Sequence, residues 1–100
     1  MIFVEKRDGH PELVVNFGVF SGREATEAEV YRLAQSLLQE VRSVEIVCER
    51  RFEFDSEVEA TVHQVRIRLP ASADGGESEL IPLVYEWAND CIGERRLIIP

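Results

Sequence analysis

LVVNFGVFSGREATEAEVYRLAQSLLQEV, residues 13–41, joins a strand-like segment to a helix-like one. The first eight residues are mostly β-branched or aromatic and are apolar on both faces, which predicts a central strand over residues 12–20. Gly22 then predicts a turn. Thr26 and Glu29 have the spacing of a capping box, in which each side chain binds the other residue's backbone amide. We therefore predict that a helix begins at residue 26.

A helix over residues 26–41 is the clearest element of the chain. Its apolar residues recur at intervals of three and four, which is the period of a helix with one buried face. They are Val30, Leu33, Ala34, Leu37, Leu38 and Val41. The remaining positions are mostly charged or amide side chains, which predicts that the opposite face of the helix lies in water.

Residues 44–54 alternate between apolar and charged side chains, the pattern of a half-buried strand. The apolar face consists of Val44, Ile46, Cys48, Phe52 and Phe54. Asp55 and Ser56 favour a turn, so residues 59–69 are predicted to form the second strand of an antiparallel hairpin, with arginines and glutamates paired across it. The apolar residues of that strand change from even to odd positions, which predicts a β-bulge near His63 and Gln64.

The C-terminal third begins with a predicted loop over residues 70–78 and continues with a second predicted helix over residues 79–92. Ser78 is the expected N-cap and Gly93 the expected end of this helix. Residues 95–99 are predicted to form a last short strand. At the other end of the chain, residues 2–4 have the composition of a further strand, and Asp8 and Gly9 favour a hairpin turn after it.

The predicted order of elements is β-α-β-β-α-β, with one possible extra strand at the N-terminus. This order is that of the ferredoxin-like sandwich, an α+β fold in which two helices cover one face of a four-stranded antiparallel sheet. Residues 1–100 are expected to form a single domain of this class. The N-terminal and C-terminal strands compete for the same sheet edge, so one of them should pair elsewhere.

The composition is acidic, since 19 Asp and Glu residues against 11 Lys and Arg residues give a net charge of -8. Nucleic acids and anionic membranes attract clustered positive charge, so neither is an expected partner. No apolar segment is long enough for a signal peptide or a membrane span, and we expect a cytoplasmic protein. Cys48 and Cys91 lack the spacing of a zinc site, so no metal or cofactor is expected and both thiols are predicted to be reduced and buried.

Ser21, Gly22 and Arg23 are the candidate ligand-binding residues, in a turn between the first core strand and the first helix. Backbone amides and a guanidinium group at such a position suit an anion. The position, though not the sequence, is similar to that of the phosphate loop in acylphosphatase-type enzymes. Here Glu24 follows Arg23, and residues 44–54 contain no asparagine to orient a water molecule. One interpretation of residues 21–23 is a plain turn that binds nothing. The alternative hypothesis is a small enzyme or ligand sensor that binds an anionic group at this turn.

Cys48 and His63 fall nearly opposite each other in a hairpin centred on Asp55 and Ser56. A thiolate and an imidazole together make a nucleophilic pair. However, their face of the sheet is the one that the helices should cover, and burial raises the pKa of a thiol and makes it unreactive. We therefore predict a structural Cys48 and no catalytic residue.

The second predicted helix carries more apolar surface than one buried face requires. If one face packs on the sheet, Leu83 and Trp87 point sideways, either toward the first helix or toward a partner. Tryptophan is a frequent interface anchor. The favoured hypothesis is a small binding or self-association module without catalysis. It would be a homodimer joined through this helix, an unpaired terminal strand, or both.

Overall fold

The computed structural model describes residues 2–7, 10–18, 23–57, 59–70 and 76–98, and six helices and strands are bounded within these ranges. The elements are β1 (Ile2–Arg7), β2 (His10–Val15), α1 (Glu27–Leu37), β3 (Glu45–Phe54), β4 (Glu59–Arg68) and α2 (Glu77–Ile98). The strands form one sheet in the order β1-β2-β4-β3, and every neighbouring pair is antiparallel. The described residues therefore form a small α+β fold with a four-stranded antiparallel sheet and two helices.

Helix α1 begins where the capping box predicts. The Thr26 hydroxyl accepts a hydrogen bond from the Glu29 amide at 3.3 Å, and a Glu29 carboxylate oxygen accepts from the Thr26 amide at 2.8 Å. The helix ends at Leu37, earlier than the predicted residue 41, and the amide of Leu38 still donates to the Ala34 carbonyl. Leu33 and Leu37 are fully buried, so the predicted apolar face is the one that packs.

The β3–β4 hairpin is confirmed within one or two residues at each end. Its pairing is regular from Glu45↔Arg68 to Phe54↔Glu59, so the predicted β-bulge near His63 and Gln64 is wrong. Gln64 instead turns its side chain to the face away from the core, where its amide donates to the Asn16 side chain at 2.7 Å. The apolar residues Ala60 and Val62 lie on this same face, opposite Glu53 and Arg51, so the change from even to odd positions reflects apolar residues on both faces of β4 and requires no extra residue.

Two strand predictions are wrong: the end of β2 and the C-terminal strand. Strand β2 ends at Val15, and the backbone of Phe17 and Gly18 is helical, whereas residues 19 and 20 lie outside the described residues. Helix α2 continues past Gly93 to Ile98, so residues 95–98 are not a strand. Strand β1 pairs with β2 from Ile2↔Val15 to Arg7↔His10, and it therefore occupies the edge that a C-terminal strand would need.

The core lies between one face of the sheet and the two helices. The sheet contributes alternate residues of its two central strands, because successive side chains of a strand point to opposite faces. The buried cluster is Leu13, Val15, Phe17, Leu33, Leu37, Val65, Ile67, Leu69, Leu80, Val84, Trp87, Ala88 and Cys91. Neither helix in the described part of the chain has a stretch that is both long and apolar enough to cross a membrane.

Candidate functional site

Arg23 and Glu29 form a bidentate ion pair at the start of α1. Arg23 Nη1 lies 2.7 Å from Glu29 Oε1, and Nη2 lies 2.6 Å from Oε2. The Glu29 side chain is 4% exposed, whereas the Arg23 side chain is 30% exposed. The Arg23 guanidinium also lies over the Phe17 ring, 5.7 Å from its centroid. Both terminal nitrogens of Arg23 are thus directed at a carboxylate of the same chain.

Glu29 is held in its charged form. Its pKa is lowered from the usual 4.5 to about 2, mainly by the hydrogen bond with Arg23. Burial opposes this effect, and hydrogen bonds with Thr26 and Cys91 contribute to it. The backbone of Glu29 is used as well, since Trp87 Nε1 donates to its carbonyl oxygen at 2.8 Å. Glu29 therefore caps α1, anchors Arg23 and ties α2 to α1.

The candidate anion turn is only partly described. Ser21 and Gly22 lie outside the described residues, and Arg23 is the residue already paired with Glu29. At the start of the turn, Gly18 approaches β4 so closely that a Cβ atom on it would lie 3.3 Å from the backbone nitrogen of His63. A glycine at this point therefore permits the chain to pack on the sheet. The anion site stays a prediction.

Trp87, one of the two expected interface residues, is buried within the chain. It is 5% exposed, and its ring centroid lies 5.2 Å from that of Phe17. This position corresponds to the alternative in which Trp87 fills the space between the helices. Leu83 is half-buried and borders a cleft of about 320 Å³ together with Trp87 and residues of both helices. The other lining residues are Arg32, Gln35, Ser36, Gln39, Glu86 and Asp90. An interface at Leu83 stays a prediction.

Cys48 and His63 do not face each other directly. Cys48 pairs with Val65 and His63 pairs with Arg50, so the two residues share one face of the sheet and are offset by two positions. Cys91 is buried as predicted, but Cys48 is exposed because it lies on an edge strand, which corrects the expectation of two buried thiols. Partial burial of its sulfur and the charge of Glu24 nevertheless raise the pKa of Cys48 above its usual 9.0, which disfavours the reactive thiolate.

The face of the sheet away from the helices carries a charge cluster centred on Arg66. Arg66 Nε donates to Glu49 across the β3–β4 pair, and Nη1 lies 3.1 Å from Glu5 Oε2 and 3.7 Å from Glu12 Oε1. The hydrogen bond with Glu49 is the main cause that raises the pKa of Arg66, so the guanidinium stays charged. Glu12 is 3% exposed, which keeps part of the cluster out of water. The Arg66–Glu49 pair is one of the predicted charge pairs across the hairpin, and the cluster links all four strands.

The far half of the β3–β4 hairpin extends beyond the rest of the sheet. Strand β2 pairs with β4 only as far as Val15↔Val65, whereas β3 and β4 remain paired as far as Phe54↔Glu59. Strand β3 is last in the sheet order, so no strand among the described residues lies along its outer side. Phe52 and Phe54 on this strand are 58% and 69% exposed. We call the outer side of Glu45–Phe54, with these two rings, the β3 edge.

Within the described ranges, no group of three or more His, Cys, Asp or Glu side chains could hold a metal ion. Comparison of the chain with protein-family models, with curated proteins and with solved structures gives no match. What the chain does must therefore be inferred from its own geometry.

Proposed function

We propose that the protein is a small self-associating module without catalysis, and that two copies join through the β3 edge. The observation that supports this is the pair of exposed rings, Phe52 and Phe54, on a strand with no described neighbour along its outer side. The backbone groups of such an edge pair readily with another chain, and natural proteins usually protect them with charges, prolines or bulges. Large exposed apolar side chains at an edge add to its tendency to associate.

The contact is placed on β3 rather than on α2 or β1. Trp87, the expected anchor on α2, already packs against Phe17. Strand β1 is also an edge strand, but it has six residues where β3 has ten. A net charge of -8 opposes association at long range, so the contact must rely on apolar burial and strand pairing. The β3 edge offers both.

The fold that positions this edge is, we infer, a variant of the ferredoxin-like sandwich. Strands β2 and β3 are joined through α1, and β4 lies between them, as in the split βαβ arrangement of that fold. Strand β1 then occupies the place beside β2 that a last C-terminal strand would fill. In this arrangement β3 is the outer strand on the side away from β1.

A reducing, cytoplasmic location is part of the proposal. Neither Cys48 nor Cys91 forms a disulfide bond, and Cys48 is exposed. Exposed thiols persist in compartments where glutathione and thioredoxin keep them reduced.

Sedimentation over a hundredfold range of concentration tests the proposal, with the parent chain compared to a Phe52→Ser/Phe54→Ser variant. Both side chains are mostly exposed, so the variant should remain folded as a monomer. We expect the parent to dimerise and the dissociation constant of the variant to rise by roughly tenfold or more.

The matched control replaces Tyr31 and Leu38 by serine, because these apolar side chains are similarly exposed, at 62% and 49%, but lie on or next to α1. Its dissociation constant should equal that of the parent. A folded parent that stays monomeric at every concentration contradicts the proposal, and so does a control that weakens the dimer as much as the Phe52/Phe54 variant.

A further inference from the structure

The sequence of β3 is complementary to itself when two copies of the strand lie antiparallel. In a symmetric pair, the twofold axis is perpendicular to the sheet and passes beside one residue, which then faces its own copy. The overlap is longest when that residue lies at the middle of Glu45–Phe54. Glu49 and Arg50 are the two central positions, so they define two registers to compare.

The two registers differ in which charged residues they place opposite each other. In the register centred on Glu49, that residue faces its own copy and Glu45 faces the partner's Glu53. Each of these pairs brings two carboxylates together and is repulsive. Centring on Arg50 sets Glu49 against the partner's Arg51, twice by symmetry, and leaves one repulsive pair within the paired strands, at the axis. A second kind of repulsive pair, Glu45 with the partner's Asp55, falls at the strand ends, because Asp55 lies just past the last residue of β3. Opposite charges that face each other across strands stabilise a sheet and like charges destabilise it. The charge pattern therefore favours the register centred on Arg50.

The same register covers the exposed rings. Phe52 faces the partner's Cys48, and Phe54 faces the partner's Ile46. These residues lie on the face of the sheet that continues the core, because Cys48 pairs with Val65 and Ile46 with Ile67. Side chains directly opposite each other in an antiparallel pair are in contact. By symmetry, four apolar pairs form on the side of the sheet that carries the helices.

We propose that the occupant of the β3 edge is a second copy of this chain, antiparallel and centred on Arg50, so that two four-stranded sheets join into one. The register rests on the proposed self-association and specifies its geometry.

Engineered disulfides test the register. Arg50→Cys in a Cys48→Ser background places two thiols directly opposite each other at the axis. Their Cα atoms are expected to lie about 4.5–5.5 Å apart, which suits a disulfide. Mild oxidation should therefore give a covalent dimer on a non-reducing gel. The matched control, Arg51→Cys in the same background, places its thiols two residues out of register and should not crosslink. Cys48 of the parent, four residues out of register, should not crosslink either.

The outcomes distinguish the register from the self-association on which it rests. A parent that dimerises in sedimentation but forms a disulfide through Cys48, or a control that crosslinks through Arg51→Cys, overturns the register and leaves self-association standing. A monomeric parent, with no crosslink in any variant, overturns both.

A second measurement covers the case in which Arg50→Cys disturbs the strand. When the parent is mixed with an equal amount of an Arg50→Glu variant, the mixed dimer has a carboxylate opposite Arg50, whereas both pure dimers have like charges there. Native mass spectrometry should show more mixed dimer than random assortment gives. If the fraction of mixed dimer is no higher than random assortment gives, the register centred on Arg50 is wrong.

Discussion

Replacing Glu29 by glutamine tests the buried ion pair with little change of shape. Glutamine keeps an oxygen that can accept from Thr26 but loses the charge that holds Arg23. The pKa of Glu29 falls from its usual 4.5 to about 2 in the folded chain. Each unit of pKa is worth about 1.4 kcal/mol, so the fold favours the charged carboxylate by about 3 kcal/mol. We expect Glu29→Gln to lower the free energy of unfolding at neutral pH by about this amount.

The loss should depend on pH in a defined window. Because the pKa of Glu29 is lower in the folded chain than in the unfolded one, the stabilisation is complete above pH 4.5 and is lost as the pH falls toward 2. The parent and Glu29→Gln should differ by a constant amount near neutral pH. Below pH 4.5 they should converge, by at most about 1.4 kcal/mol per pH unit. Urea unfolding followed by Trp87 fluorescence at a series of pH values measures both features.

Two controls isolate the charge of Glu29. Glu27 lies in the same first turn of α1 but is exposed, so Glu27→Gln should change the free energy of unfolding by less than about 1 kcal/mol. Adding Arg23→Met to Glu29→Gln should lower stability little further, because the two charges act as one unit. A Glu29→Gln variant within about 0.5 kcal/mol of the parent at neutral pH, or a loss that persists unchanged in acid, would refute this reasoning.

Three further substitutions test other contacts. Trp87→Phe removes the hydrogen bond to α1 but keeps a buried ring, and thermal unfolding should show a loss of about 1–2 kcal/mol; an unchanged stability would mean that the bond contributes nothing. Arg66→Met leaves the surrounding carboxylates without their shared cation, and denaturant unfolding should show that the free energy of unfolding falls by about 3 kcal/mol. The control Arg42→Met removes an exposed arginine and should lower it by less than about 0.5 kcal/mol. Gly18→Val should lower stability more than Gly18→Ala, because even a Cβ atom lies 3.3 Å from the backbone nitrogen of His63; equal losses would contradict this close packing.

The parts of the fold that could be predicted from the sequence are those set by neighbours along the chain. Thr26 and Glu29 are three residues apart, and their reciprocal bonds define the start of α1 wherever the helix packs. The β3–β4 hairpin is likewise local. The end of β2 and the length of α2 depend instead on distant partners. The Phe17 ring packs against Trp87, and β1 fills the edge that a C-terminal strand was expected to use.

The candidate sites were harder to predict, because each depends on where the sheet ends or on a contact between a helix and a segment outside it. Glu29 was expected as a cap, but its pairing with Arg23 joins it to a segment outside the helical repeat. The alternation of β3 correctly places Phe52 and Phe54 on the core side of the strand. Their exposure follows from the last β2–β4 pair at Val15↔Val65, a boundary that the sequence of β3 does not contain.

The pairing of β2 with β4 has a consequence for how the chain is made. Glu12 pairs with Arg68, and all of α1 and β3 lies between them. As the chain leaves the ribosome, β2 has only β1 beside it, and an isolated two-stranded hairpin is at best marginally stable in water. The backbone groups on the β4 side of β2 therefore have no strand partner until β4 has emerged, and contacts between such distant segments form slowly. The nascent chain commits to its fold only after residue 68 has been synthesised.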